Sequence, residues 1–268
     1  MLLKKISFLF YILLFSSMEI AAEIIEIDFV YIGETNHPSL LGAKQGIDES
    51  NLQGKFLNQK YNMDQISYNK IDGYDFSKYI AVLTSLNSKD LKSLAKKLKN
   101  TPIFNLTDGS DEMRTACFEN ILHIVPSNKM KSDALAQLEF KSPDSNATAQ
   151  AWHHSFVKFA ARDLNKRFKK NHKTEMNDYS WAGWAAVKMT SDTVARTQIT
   201  NPSEMLSYLK NKLSFDGQKG SDMNFRITGQ LRQLMLLVEN DKIITEAPIR
   251  GVAKPPTLDS LGTLDCAN

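Results

Sequence analysis

Few side chains in this sequence stand at spacings that chemistry would require. The adjacent pair His153-His154 suggests a metal site. Neighbouring side chains on a helix point about 100° apart, so the pair is expected to split, one ring partly buried and the other solvated, without a shared ion. Asp108-Gly109-Ser110-Asp111-Glu112 gathers oxygens beyond a strand and could hold a hard cation, although it lacks the full EF-hand pattern. Gly33-Glu34-Thr35 follows a strand-like run but lacks the glycine spacing that lets a backbone wrap a pyrophosphate. There is no P-loop, no HExxH and no GxSxG. Asn105-Leu106-Thr107 and Asn146-Ala147-Thr148 match the glycosylation acceptor pattern, which is frequent by chance. Trp152, Trp181 and Trp184 read as core at helical spacing. No nucleophile, base and orienting group come together. The expectation is therefore no enzyme, no resident metal and no cofactor.

These residues are carried by alternating elements. Residues 24–32 form a β-rich run ending at Gly33, and Leu40, Leu41, Ala43 and Ile47 predict a helix closing near Asn51. Residues 63–69 read as a second strand and 79–83 as a buried third. Ser88 then serves as an N-cap with Asp90 in the first turn, Leu91, Leu94, Ala95 and Leu98 supply a stripe, and Pro102 follows the stop. Residues 102–106 and 121–125 are the fourth and fifth strands, with a helix near 131–138. This alternation predicts an α/β fold with a mainly parallel, doubly wound sheet. The polar, turn-rich stretch 140–149 marks a junction. Beyond it the chain reads as mostly helical. Trp152, Phe156, Phe159, Ala160, Leu164 and Phe168 fit one helix face, Tyr179 to Met189 a second helix, and Asn201-Pro202-Ser203-Glu204 opens a third. A small antiparallel element closes the chain, with strands at 223–227, 233–238 and 243–246 and turns at Thr228-Gly229 and Asn240-Asp241.

Open α/β sheets bind ligands outside the carboxyl ends of their strands. Those ends carry Gly33-Glu34-Thr35, Thr84-Ser85-Leu86-Asn87-Ser88 and Asn105-Leu106-Thr107-Asp108, short polar loops of which several precede helix N-termini. Ordinary turn chemistry explains each loop equally well when it is taken alone.

The 268 residues are 42% hydrophobic and 24% charged, proportions that exclude a disordered tail, a fibre and a disulfide miniprotein. Net charge is +3, which offers no electrostatic reason for a nucleic-acid partner. Lys4 and Lys5 precede an apolar run at 6–15, followed by Ser16, Ser17, Ala21 and Ala22. That run is half the about 20 residues a membrane span needs, so 1–22 reads as a signal peptide and the protein as periplasmic; an uncleaved anchor is the minority alternative. In an oxidising compartment the two cysteines, Cys117 and Cys266, are expected to pair, the alternative being two free thiols.

The order of motifs resembles a known family. Residues 26–33, then Gly42-Ala43-Lys44-Gln45-Gly46-Ile47 and Asn51, resemble the opening of type I periplasmic binding proteins, the leucine/isoleucine/valine-binding family of ABC importers. Residues 179–187, Phe215-Asp216-Gly217-Gln218-Lys219-Gly220 and Asn224-Phe225-Arg226 resemble its later segments. Residues 151–156, Gly229-Gln230-Leu231-Arg232-Gln233 and the paired cysteines resemble a branch that accompanies pyrroloquinoline-quinone (PQQ)-dependent alcohol dehydrogenase systems. The resemblance implies a periplasmic solute-binding component of an ABC importer, with a small-molecule solute, an inner-membrane permease and a periplasmic alcohol dehydrogenase system as partners. By positional match it implies Ser85, Asn105 and Thr107 as ligand contacts, with Gly33 and Glu34 nearby. Residues 23–140 then form the first lobe, and 141–268 a shortened second region whose C-terminus returns to the first lobe. The shortening keeps two alternatives open: a single-lobe interaction protein, and capture of a hard metal ion by the 108–112 loop.

Overall fold

The structure, a computed structural model, describes residues 24–220 and 222–267. The leader expected over 1–22 lies outside these residues. Strand β1 (Ile25–Ile32) alternates between burial and exposure where it begins and is wholly buried where it ends, as a central strand covered on both faces must be. It is flanked by β2 (Gln59–Ile66) and by β3 (Tyr79–Thr84), which is buried throughout. Two short strands, β4 (Ile103–Asn105) and β5 (Ile121–His123), complete a sheet of order β2-β1-β3-β4-β5 in which every pairing is parallel. The period of two sorts its side chains. Phe29, Tyr31, Leu83, Phe104 and Leu122 enter one apolar cluster; Val30, Ile32, Val82, Ile103 and Ile121 enter another on the opposite face.

Helices α1 (Pro38–Gly54), α2 (Ser88–Lys97), α3 (Asp111–Thr115) and α4 (Asn128–Lys141) intersperse these strands. Beyond them come β6 (Thr148–Gln150), α5 (Ala161–His172), α6 (Asp178–Thr197), α7 (Pro202–Lys212), β7 (Met235–Glu239) and β8 (Lys242–Ala247). Strands β6, β7 and β8 make a separate antiparallel sheet against which Met130, Ala134 and Leu138 of α4 pack. The larger cluster joins the two halves of the sequence, with Leu40 and Ile47 of α1 meeting Trp181, Ala185 and Val187 of α6.

Glycines let α1 and α6 approach backbone to backbone. A Cβ on Gly183 would lie 2.0 Å from the Ser39 carbonyl oxygen, and one on Gly42 would lie 1.7 Å from that of Ser180. At the same junction the Glu49 carboxylate accepts hydrogen bonds from Gln45, Arg167 and the Trp184 indole, each at 2.8 Å. Burial alone would raise its pKa, but these donors outweigh that cost and hold it below the usual glutamate range. Lys219 is also interior. Its ammonium lies 4.2 Å above the Trp181 ring and donates to Gln233 Oε1 at 2.8 Å and to the Leu234 carbonyl at 3.2 Å. Cys117 and Cys266 are bonded, closing a loop of sequence separation 149.

The α/β reading stands, and four expectations about element boundaries and pairing need correction. Strand β2 begins four residues earlier than expected, because backbone pairing with β1 rather than hydrophobicity defines it; only Gln59 and Tyr61 of the strand are buried. The α2 cap is Asn87, whose side chain accepts from the Asp90 amide, and Ser88 is the first helical residue. Trp152 and Phe156 are buried as expected, but residues 151–160 are irregular and the helix starts only at Ala161. The third strand of the antiparallel element is β6, not residues 223–227. That segment contributes isolated bridges, and Gln230 pairs instead beside His123 on β5.

Candidate functional site

Parallel sheets of this order change winding direction between β1 and β3: α1 leads from β1 to β2 on one side, whereas the chain returns to β3 on the other. A crevice forms at such a switch point. Here it is lined by Gly33, Glu34, Thr35 and Asn36 after β1, Ser67 and Tyr68 after β2, and Ser85, Leu86 and Asn87 after β3, with a volume of about 650 Å³. Backbone bonds hold the three exits together, from the Gly33 amide to the Ile66 carbonyl and from the Ser85 amide to the Ile32 carbonyl, both 3.2 Å.

Gly33 is required at the crossing. Its φ is +155°, and a Cβ there would lie 2.0 Å from Ser85 Oγ. That hydroxyl is itself buried without a hydrogen-bond partner of good geometry. The nearby Tyr31 hydroxyl instead bonds Ser39 Oγ at 2.8 Å. Burial pushes the Tyr31 phenol up, partly offset by the Ser39 and Ser85 hydroxyls. Glu34 is exposed and is the one formally charged side chain lining the crevice. Helix α1 starts two residues beyond Asn36, capped by His37, whose side chain accepts from the Ser39 amide. Burial pulls the His37 pKa down, against the pull of Glu34. Helix α2 starts directly after Asn87.

Gly33, Glu34 and Ser85 thus come together, while Asn105 and Thr107 lie one strand further along. The Asn105 amide donates to the Asp108 carbonyl at 2.7 Å and to His123 Nδ1 at 2.8 Å, and its oxygen accepts from the Thr107 and Asp108 amides. All its capacity is spent shaping the β4 exit, and full burial keeps it from acting as a glycan acceptor. Thr107 is half-buried with its hydroxyl directed at the Leu86 carbonyl, 3.5 Å away. Arg114, buried beneath this exit, donates to the carbonyls of Asp108, Ser110 and Val125 and to Gln230 Oε1. Burial lowers its pKa to about 10 despite Asp108 and Asp111. His123 accepts at Nδ1, so its proton is assigned to Nε2; burial, reinforced by the Arg114 charge, drives its pKa well down and keeps the ring neutral.

The 108–112 loop does not converge on a point. Asp108 accepts from Ser88 Oγ and the Ser110 amide, Asp111 accepts from the Lys129 amide in the first turn of α4, and Glu112 pairs with Lys92. Ser67 and Tyr68 line the crevice without having been singled out from the sequence, whereas Asn87 belongs to a strand-end loop that was. The expected strand over 63–69 had placed both inside a strand, whereas β2 ends at Ile66.

No protein-family model and no curated protein matches the chain. Solved structures do. A branched-chain amino acid ABC transporter periplasmic ligand-binding protein from Burkholderia xenovorans LB400 is 11% identical with a TM-score of 0.67, the match covering 82% of this chain and 95% of that one. A branched-chain amino acid transporter substrate-binding protein from Streptococcus pneumoniae, in complex with isoleucine, is 9% identical with a TM-score of 0.63, covering 84% and 99%. An ABC transporter substrate-binding protein from Desulfitobacterium hafniense, in complex with Leu, is 9% identical with a TM-score of 0.67, covering 82% and 98%. The fold is that of type I periplasmic binding proteins. In this fold the first sheet is joined, among the described residues, by an antiparallel three-stranded sheet.

Proposed function

We propose that this protein is the periplasmic solute-binding component of an ABC-type importer, delivering a small polar solute to an inner-membrane permease. One observation carries the reading: at the switch point of the sheet, a buried Ser85 hydroxyl that makes no well-formed hydrogen bond shares a crevice with the single carboxylate of Glu34. Glu34 suits an ammonium group and Ser85 a hydrogen-bonding oxygen. The helix starts just beyond Asn36 and Asn87 favour a negative group nearby. A zwitterion such as an amino acid has this pattern, and two neighbours of the same fold are named as complexes with isoleucine and Leu. Those names, which describe binding proteins, also agree with a chain that is not an enzyme. The leader pattern over 1–22 and the Cys117–Cys266 bond support export. The link to PQQ-dependent alcohol oxidation rests on the sequence resemblance alone, and it places alcohol-oxidation intermediates in the test panel beside amino acids.

A second reading has its own observation. Among the described residues there is one parallel sheet, which supports a shortened second region over 141–268 and leaves the crevice without a matching sheet opposite. On that reading the protein binds another periplasmic protein through its single lobe. Calorimetry and thermal shift against both solute classes separate the two, because a ligand stabilises the native state by mass action. Under the first reading a solute stabilises the protein, Ser85→Ala weakens binding roughly two- to tenfold, and Glu34→Gln weakens it roughly tenfold or more. No stabilisation by any solute, together with a co-purified periplasmic protein, refutes it in favour of the second.

A further inference from the structure

The histidine pair expected to diverge does not. His153 and His154 lie in a turn rather than a helix, their rings are 4.2 Å apart, and their Nε2 atoms approach the same oxygen, Oδ1 of Asp241, at 3.2 and 3.1 Å. Among the described residues this is the one group of three histidine, cysteine or acidic side chains whose donor atoms all lie within 4.8 Å of one another. We propose that His153, His154 and Asp241 form a binding site for a divalent transition-metal ion of the zinc class, separate from the crevice described above.

The donor geometry suits such an ion. Zinc sits about 2.0–2.2 Å from imidazole nitrogen and carboxylate oxygen, so donors 3.1–3.2 Å apart subtend about 100° at the metal, between the octahedral and tetrahedral angles. Two imidazoles with one carboxylate select the zinc, copper and nickel group over magnesium or calcium, which prefer all-oxygen sites. Three protein ligands leave a further position open. The Asp241 side chain is 75% exposed and that of His154 33%, so an ion can enter from solvent.

The three ligands are also held in advance of binding. Asn240 and Asp241 have φ of 49° and 60°, the paired left-handed conformation of a two-residue hairpin turn, and this turn joins β7 to β8. The 153–156 turn is pinned by buried Asn165 of α5. Its amide donates to the carbonyls of His154 and Phe156 at 3.0 and 3.1 Å, and its oxygen accepts from the Trp152 indole at 2.9 Å. His153 Nδ1 lies 2.8 Å from Ser155 Oγ and accepts from the Ser155 amide at 3.2 Å, two contacts that fix the orientation of the ring. Supports of this kind distinguish a preorganised site from a chance surface cluster.

The test is calorimetric titration of the full chain, free of any histidine tag, with Zn²⁺, with Co²⁺ as a spectroscopic stand-in and Ca²⁺ as the oxygen-seeking control. One Zn²⁺ binds per chain, Co²⁺ develops visible bands of a mixed nitrogen–oxygen site, and Ca²⁺ does not compete. Losing a direct ligand must cost at least the roughly 10–100-fold that outer partners cost, so His154→Gln and Asp241→Asn each weaken Zn²⁺ binding by tenfold or more. Both sites are open to solvent and Asn tolerates the left-handed turn, so metal-free melting of each variant stays close to that of the parent. Absence of saturable Zn²⁺ binding, binding undiminished in both variants, or Ca²⁺ binding as tightly as Zn²⁺ overturns the proposal. None of these outcomes bears on solute binding at Ser85 and Glu34.

Discussion

Replacing Gly183 by alanine pits two effects of opposite sign. In an exposed helix the change is favourable by about 1 kcal/mol, because alanine costs less backbone entropy. At the α1–α6 crossing the added Cβ would lie 2.0 Å from the Ser39 carbonyl oxygen and 2.9 Å from the Ala43 amide nitrogen, whereas ordinary contact begins at 3.4 Å. The helices must therefore part by about 1.4 Å, and gaps of even 0.5–1 Å forfeit a quarter to a half of each dispersion contact across the interface. Neither obstacle can rotate away, since both are main-chain atoms. Overpacking penalties of about 1–3 kcal/mol then apply at their upper end or beyond, leaving a net loss of about 2 kcal/mol after the propensity gain. Urea unfolding should show a lower midpoint at an unchanged m-value. The double variant Gly42→Ala/Gly183→Ala should lose less than the sum of the single losses, because helices already parted by one methyl group accommodate the second. A Gly183→Ala midpoint equal to or above that of the parent would refute the close crossing of α1 and α6.

Two further outcomes follow from the disulfide and from a buried lysine. Reducing the Cys117–Cys266 bond, or replacing both cysteines by serine, releases a loop of sequence separation 149, and chain entropy puts the loss at about 5 kcal/mol as an upper bound; unfolding curves that coincide with and without reductant would contradict this. Burial lowers the Lys219 pKa from 10.5 to about 7, although Asp178 and Glu246 pull it back up. The unfolded chain therefore holds one more proton between those values, and stability should rise as pH climbs from about 7 towards 10.5. Lys219→Met should flatten that rise, and a variant with the same slope as the parent would show that Lys219 is not the titrating group.

Legibility of the sequence differed by element. β1, β3 and the helix cap at Asn201 were readable because each is written in adjacent residues: a continuous apolar run, or a cap whose oxygen meets the next few amides. The polar edge strand β2 was displaced because its identity comes from pairing with β1. In the crevice, Gly33, Glu34 and Ser85 were legible as strand ends. Asn105 was legible as a strand-end residue too, but its role as a buried organiser depends on His123, a strand away.

From the sequence alone came the mainly parallel, doubly wound sheet, the Asn240-Asp241 turn, the expectation that the two cysteines would pair and the polar character of the strand ends. All of these follow from local backbone preference, composition or compartment. The tertiary structure decided what meets what: the glycine-mediated crossing of α1 and α6, the use of β6 rather than 223–227 as the third antiparallel strand, and the convergence of His153 and His154 on Asp241. Asp241 lies 88 residues from His153 along the chain, and no periodicity in either segment encodes the other. Such encounters are set by the packing of whole elements, whose energy is shared among many side chains rather than carried by any one stretch of sequence.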